Sequence, residues 1–177
     1  EYSVISQPVS GLGLGVTAPY MNAAFIVMGI LCVAGAVGIF CSIAELSTSA
    51  RWTCTALLAP HGLGGVLSGI FTLESIMLHS LGFLLALTPI VSFLVIARQL
   101  RRIPAWRRLG TWLLVASPLT MVLTVLYFAT FDPQAAGTNS GVAGLTERLL
   151  LVELQAGIVA MGWLAFRRPR PVALGHQ

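Results

Sequence analysis

Long apolar runs separated by short polar connectors set the pattern of this chain. From Pro19 to Ile43 no charge interrupts the run. As a helix rising about 1.5 Å per residue, it is long enough to cross a hydrocarbon core about 30 Å thick. Pro19 suits the first turn of that helix, where its missing N–H has no intrahelical partner to lose. A polar connector, Glu45 to Thr53, contains Arg51 and leads to a second span from Cys54 to Ile76. That span is less apolar and carries Pro60, His61, Gly62, Gly64, Gly65 and Gly69. Small residues at such spacings admit close helix neighbours, which predicts a central place in a bundle. The third span runs from Met77 to Ala97, with a kink expected at Pro89. After the connector Arg98–Arg108 comes a fourth span, Leu109 to Phe131, containing Pro118. Asp132 to Gly144 is rich in turn residues, and a fifth span runs from Leu145 to Phe166, with Gly144 or Thr146 as its expected cap. No internal repeat is visible.

The pattern therefore predicts an all-α, polytopic transmembrane bundle over residues 19–166. It is preceded by a Gly-, Ser- and Pro-rich segment over 1–18 and followed by a tail over 167–177. Pro8 and the run Gly11, Gly13, Gly15 interrupt any regular ladder in the first segment.

Composition agrees. Only 9% of the 177 residues are charged and 56% are hydrophobic, with a mean hydropathy of +0.89. A soluble domain carries roughly 25% charged residues, so most of this surface must face lipid. The net charge of +4 does not point to nucleic acid, because there is no lysine and the arginines cluster beside apolar spans instead of tracking a groove. The three cysteines, Cys32, Cys41 and Cys54, lie within helices or at their ends and imply no disulfide framework. Of the ten arginines, Arg51, Arg98, Arg101, Arg102, Arg107, Arg108, Arg167, Arg168 and Arg170 fall on one side and only Arg148 on the other. The positive-inside rule then puts the N-terminus outside the cell and the C-terminus in the cytoplasm.

Three stretches carry a family resemblance. They are Tyr2-Ser3 through QPVSGLGLG with Met21-Asn22 after it, Gly69-Ile70-Phe71 with His79 and the apolar run that follows, and GLTERLLLVE from Gly144 to Glu153. Together they resemble the bacterial membrane family catalogued as domain-of-unknown-function family 998. The resemblance implies six helices, the first just before the YSVISQPVS segment, so a further N-terminal helix is expected. A distant likeness of that family to androgen-induced-gene type membrane hydrolases of fatty-acid esters transfers only a broad idea of lipid chemistry. Their threonine and histidine have no residue-by-residue match here.

Polar groups are costly in a membrane bundle, so their placement is the functional clue. Ser10, Asn22, Glu74, His79, Glu147 and Arg148 all map to the outer ends of helices or to the outer segment. They predict one outward-facing pocket, with Glu153 about two turns into the last helix as its floor and the glycine run letting the N-terminal segment lie over it as a lid. Arg148 and Glu153, five apart, share no helical face well, which leaves Glu74 as the expected partner of Arg148. In that picture His79, Glu74 and Glu153 are candidate acid and base groups and Ser10, Asn22 and Arg148 candidate ligand-binding groups. The bland alternative has Glu74, Glu147 and Arg148 solvated at the interface and the Gly-Leu-Gly stretch serving as a turn. A haem is excluded by the depth difference between His61 and His79, and no HExxH or cysteine pair supports a metal; no cofactor is expected. Two functions remain in view: a pocket that binds or acts on a lipid-like molecule, and a structural or accessory subunit of a larger membrane assembly. Membrane lipids and other membrane subunits are the corresponding partners. A transporter fits less well, for want of a repeat.

Overall fold

The computed structural model describes residues 2–133 and 139–167. Among them are six α-helices and no strand: α1 (Ala18–Ser42), α2 (Thr48–Ile70), α3 (Ile76–Ala86), α4 (Pro89–Arg101), α5 (Arg107–Thr130) and α6 (Ala143–Arg167). Four stretches are long and apolar enough to cross a membrane: Gly15–Ser42, Leu73–Arg101, Pro104–Thr130 and Ala143–Arg167. The fifth expected span, α2, is 23 residues long. Its glycines and polar residues keep it out of that set, and it is covered by α1 on one side and by α3 and α4 on the other.

The glycines of α2 explain its position. Gly62, Gly65 and Gly69 lie on the face toward α1. A Cβ on Gly69 would sit 2.7 Å from the carbonyl oxygen of Asn22, and one on Gly29 of α1 would sit 2.7 Å from the amide of Val66. Gly64 meets α3 at Gly82 and Ala86, where a Cβ on Gly82 would lie 2.9 Å from the Gly64 carbonyl. Without a hydrophobic drive between helices in lipid, such backbone-to-backbone approach supplies the dispersion contacts that hold a bundle. Both glycine faces of α2 are thus occupied within the chain.

Several element ends differ from expectation. α2 starts at Thr48 instead of Cys54, because the Ser47 side chain accepts a hydrogen bond from the amide of Ala50 and caps the helix. Arg51 therefore lies inside α2 and donates to the carbonyl of Ala44 at 3.0 Å. α6 begins at Ala143, so Gly144 and Thr146 occupy its first turn and do not cap it.

The third span is broken, not merely kinked, at Leu87–Thr88. Pro89 has no N–H for the Leu85 carbonyl, and the hydroxyl of Thr88 donates to that oxygen instead at 2.9 Å. The next carbonyl, Ala86, is taken by His61 Nδ1 from α2 at 2.6 Å. The break is thus satisfied from its own side chain and from its neighbour.

The largest apolar core joins Phe40 of α1, Leu58 of α2, Phe93 and Ile96 of α4, Leu113 of α5 and Met161 of α6. It lies toward the end of the bundle that carries Arg51, the arginines of 98–108 and Arg167. Trp52, Trp106, Trp112 and Trp163 fall at the same end, with the Arg167 guanidinium 4.3 Å from the Trp163 ring centroid. Tryptophan and arginine together at one level is the arrangement of a membrane–water boundary.

Candidate functional site

The opposite end is built from the N-terminal segment and the first two turns of α6. Residues Val9–Gly13 and Gly15–Thr17 form short 3₁₀ turns, and the segment from Tyr2 to Thr17 is a strap lying against α1, α6 and the turn Leu73–Ser75. Gly15 adopts a φ of 64°, a conformation open to glycine at little cost.

Gly144 lets the strap touch the helix. A Cβ there would lie 2.7 Å from the carbonyl oxygen of Val4 and closer still to that of Gln7. Next to it, the amide of Leu145 donates to the Ile5 carbonyl at 2.8 Å. Glu147, only 2% exposed, accepts from the backbone N–H of Val9 and from the Ser10 hydroxyl at 3.3 Å. Arg148 donates to the carbonyls of Val4 at 2.8 Å, Gln7 at 3.0 Å and Gly144 at 2.8 Å, and to the Tyr2 hydroxyl. A carboxylate satisfying strap donors beside a guanidinium satisfying strap acceptors makes a clasp of charge-assisted hydrogen bonds. On the other flank, Asn22 Nδ2 donates to the Gly13 carbonyl at 3.2 Å, while its Oδ1 is buried without a partner among the described residues.

His79, 6% exposed, closes the α2–α3 turn through Nδ1 to the Phe71 carbonyl at 2.8 Å. Glu74 has an exposed side chain. Among the described residues no hydrogen bond or ion pair joins it to His79 or to Arg148. The expected Arg148–Glu74 pair is therefore replaced by the strap carbonyls, which reach the guanidinium from the same helix end. Ser10 and Arg148 share the clasp, and Asn22 holds the strap three residues further on. His79 and Glu74 belong to the neighbouring turn, which packs on the strap without a hydrogen bond to it among the described residues.

Beside the clasp opens a cleft of about 240 Å³, lined among others by Ser6, Thr130, Phe131, Asp132, Ser140 and Ala143. The Ser6 hydroxyl is buried, with no hydrogen-bond partner among the described residues. Phe131 of this lining leads into an aromatic cluster: Tyr127 lies 5.6 Å from Phe131, 5.4 Å from Phe128 and 5.5 Å from Phe83 between ring centroids. Residues 134–138 of the predicted outer loop lie outside the described residues.

Glu153 is not part of this end. It lies six residues beyond Glu147, about 9 Å deeper at about 1.5 Å per residue, where the Thr120 hydroxyl contacts its Oε2 at 2.7 Å. A second interior cluster was not foreseen. Gln155 donates from Nε2 to His61 Nε2 at 3.1 Å, and its Oε1 accepts from Cys32 Sγ at 3.8 Å. Because His61 Nδ1 faces a carbonyl it must carry the ring proton, leaving Nε2 to accept. The one signal for this cluster in the sequence was the amide itself, set four positions after Leu151 in an apolar span. Among the described residues, no group of three His, Cys, Asp or Glu side chains could hold a metal ion.

Apolar crossing helices, a tryptophan–arginine boundary and glycine-mediated packing define a polytopic helical membrane protein. Within that class the chain belongs to the family described as protein of unknown function (DUF998), whose model matches residues 1–164. The match takes in both halves of the clasp, the strap and the start of α6. No curated protein and no solved structure matches the chain.

Proposed function

We propose that this protein binds a lipid-like molecule at the strap end of the bundle, with the polar part of the ligand in the cleft and its apolar part along the aromatic cluster. The orientation that goes with this places the strap outside the cell and the arginine end in the cytoplasm. The observation that carries the proposal is a cleft whose lining joins polar residues, Ser6, Thr130, Asp132 and Ser140, to the aromatic ring of Phe131. Ligand sites commonly combine an apolar wall with a few convergent polar groups. Ser10, Asn22 and Arg148 serve here by fixing the strap that forms one wall. Binding is favoured over turnover, since Glu147, Arg148 and His79 are each committed to hydrogen bonds within the chain. That same commitment is what favours the second reading, a structural or accessory subunit whose polar groups serve its own fold.

The test is lipid analysis of the protein purified in mild detergent and examined intact by mass spectrometry. A bound lipid-like species present in the native protein and depleted several-fold in Ser140→Trp, which fills the cleft, is the expected result. Identical bound species in both proteins overturn the cleft as the site. Co-isolation of a stoichiometric membrane partner with both proteins would then support the subunit reading.

A further inference from the structure

The carboxyl of Glu153 is used neither by the clasp nor by the cleft. It lies ten residues after the start of α6 at Ala143, about 15 Å along the helix at about 1.5 Å per residue. That is near the middle of a 25-residue span. It flanks the seam with α5: Leu150 and Leu154 on one side are buried, whereas Leu149 and Val152 on the other are exposed, and Glu153 itself is half-buried. The seam is therefore open to the lipid phase at this level.

Its surroundings supply no counter-charge. On α5, no Asp, Glu, Lys, Arg or His occurs between Arg108 and Thr130, and the titratable group there, Tyr127, lies two turns away beside Glu147. On α6 the nearest cation, Arg148, is held by Val4, Gln7, Gly144 and Tyr2. His61 lies on the opposite flank of α6, bonded to Gln155 and Ala86. Among the described residues Glu153 makes no ion pair.

Proton counting then decides what the contact requires. Thr120 Oγ1 lies 2.7 Å from Glu153 Oε2 and 3.0 Å from the Ala116 carbonyl oxygen, yet a hydroxyl has one proton. With an ionised glutamate, that proton goes to the carboxylate and the Ala116 contact is left as two oxygens facing each other. With the acid form, Glu153 donates to Thr120 Oγ1 and Thr120 donates to Ala116, so both contacts hold a proton. A bare carboxylate at this depth would also carry the full cost of a charge near the bilayer centre.

We propose that Glu153 and Thr120 form an intramembrane proton-binding site opening on the α5–α6 seam, in which the carboxyl takes up and releases one proton. Binding is a simple protonation, –COO⁻ plus H⁺ giving –COOH, with Thr120 turning its hydroxyl from the carboxylate to the Ala116 carbonyl. It does not depend on occupation of the cleft.

A hydrophobic carbodiimide tests this, because it adds only to protonated carboxyls that it can reach from the lipid phase. Native protein in lipid nanodiscs, treated with dicyclohexylcarbodiimide and mapped by peptide mass spectrometry, should carry the adduct on Glu153 and not on the enclosed Glu147. Labelling should fall at least tenfold from acidic to alkaline pH. The infrared band of a protonated carboxyl should be present in native protein and lost in Glu153→Gln, which is nearly isosteric. Labelling that does not change with pH overturns an exchangeable proton. Absence of both the adduct and the infrared band overturns the site altogether.

Discussion

The carboxylate of Glu147 accepts a hydrogen bond from the backbone N–H of Val9, two groups 138 positions apart in the chain. One helical step on, Arg148 collects the carbonyls on the other side of the same strap. Successive residues on a helix diverge by about 100°, which is why an adjacent acid and base serve opposite polarities of one backbone instead of pairing with each other.

Replacing Glu147 by leucine should therefore free the strap. The Val9 amide loses its acceptor inside a water-poor environment, at a cost of about 1–3 kcal/mol. Hydrogen exchange in nanodiscs is expected to rise in residues 3–14 while α4 and α5 stay protected. Unchanged exchange across the strap would count against the clasp.

Gly144→Val should have a related but steric effect. Its Cβ would overlap the carbonyls of Gln7 and Val4, so the strap must lift as a unit. Limited proteolysis near Pro8 should become at least several-fold faster, with the melting temperature lowered by less than in Gly62→Leu. The latter wedges α1 from α2 throughout their contact.

His61→Ala removes the donor that satisfies the Ala86 carbonyl at the α3–α4 break. A loss of about 1–3 kcal/mol is expected from the orphaned carbonyl, seen as a lower thermal midpoint in detergent. Gln155→Leu should cost less, since it removes its own polar atoms along with the contact. Equal losses in the two variants would assign the destabilisation to packing alone.

For orientation, a cysteine-free version carrying Val16→Cys should react with a membrane-impermeant maleimide in intact cells, because Val16 is 93% exposed on the strap. Ala105→Cys, between the arginines of α4 and α5, should react only after the membrane is opened. The reverse pattern would invert the assignment.

The membrane-spanning character of the chain was legible from its apolar runs, and the central role of α2 from its glycines, because both follow from composition within a single segment. The beginning of α2 was not: Thr48, Ser49 and Arg51 read as a connector until the Ser47 cap is seen. The break at Pro89 was placed correctly, but its severity depended on whether another helix could serve the freed carbonyls, which no local window reports. At the site, Glu147 and Arg148 stood out as charges beside a span, yet most of their partners are backbone groups, with only the Ser10 and Tyr2 hydroxyls coming from side chains. Backbone donors and acceptors leave no trace in residue identity. Thr120 and Gln155 were passed over for a similar reason, since single hydroxyls and amides barely alter the hydropathy of a run.

Because the strap precedes α6 in the chain, the partners of Val9, Ser10, Val4 and Gln7 do not exist until α1 to α5 and the start of α6 have been synthesised. Until then the strap offers open amides and carbonyls to water, chaperones or proteases at the membrane surface. Closure of the clasp thus reports that α6 has been inserted in the right direction. A chain that stopped before α6, or inserted α6 upside down, would keep a loose strap on display as a mark of incomplete assembly.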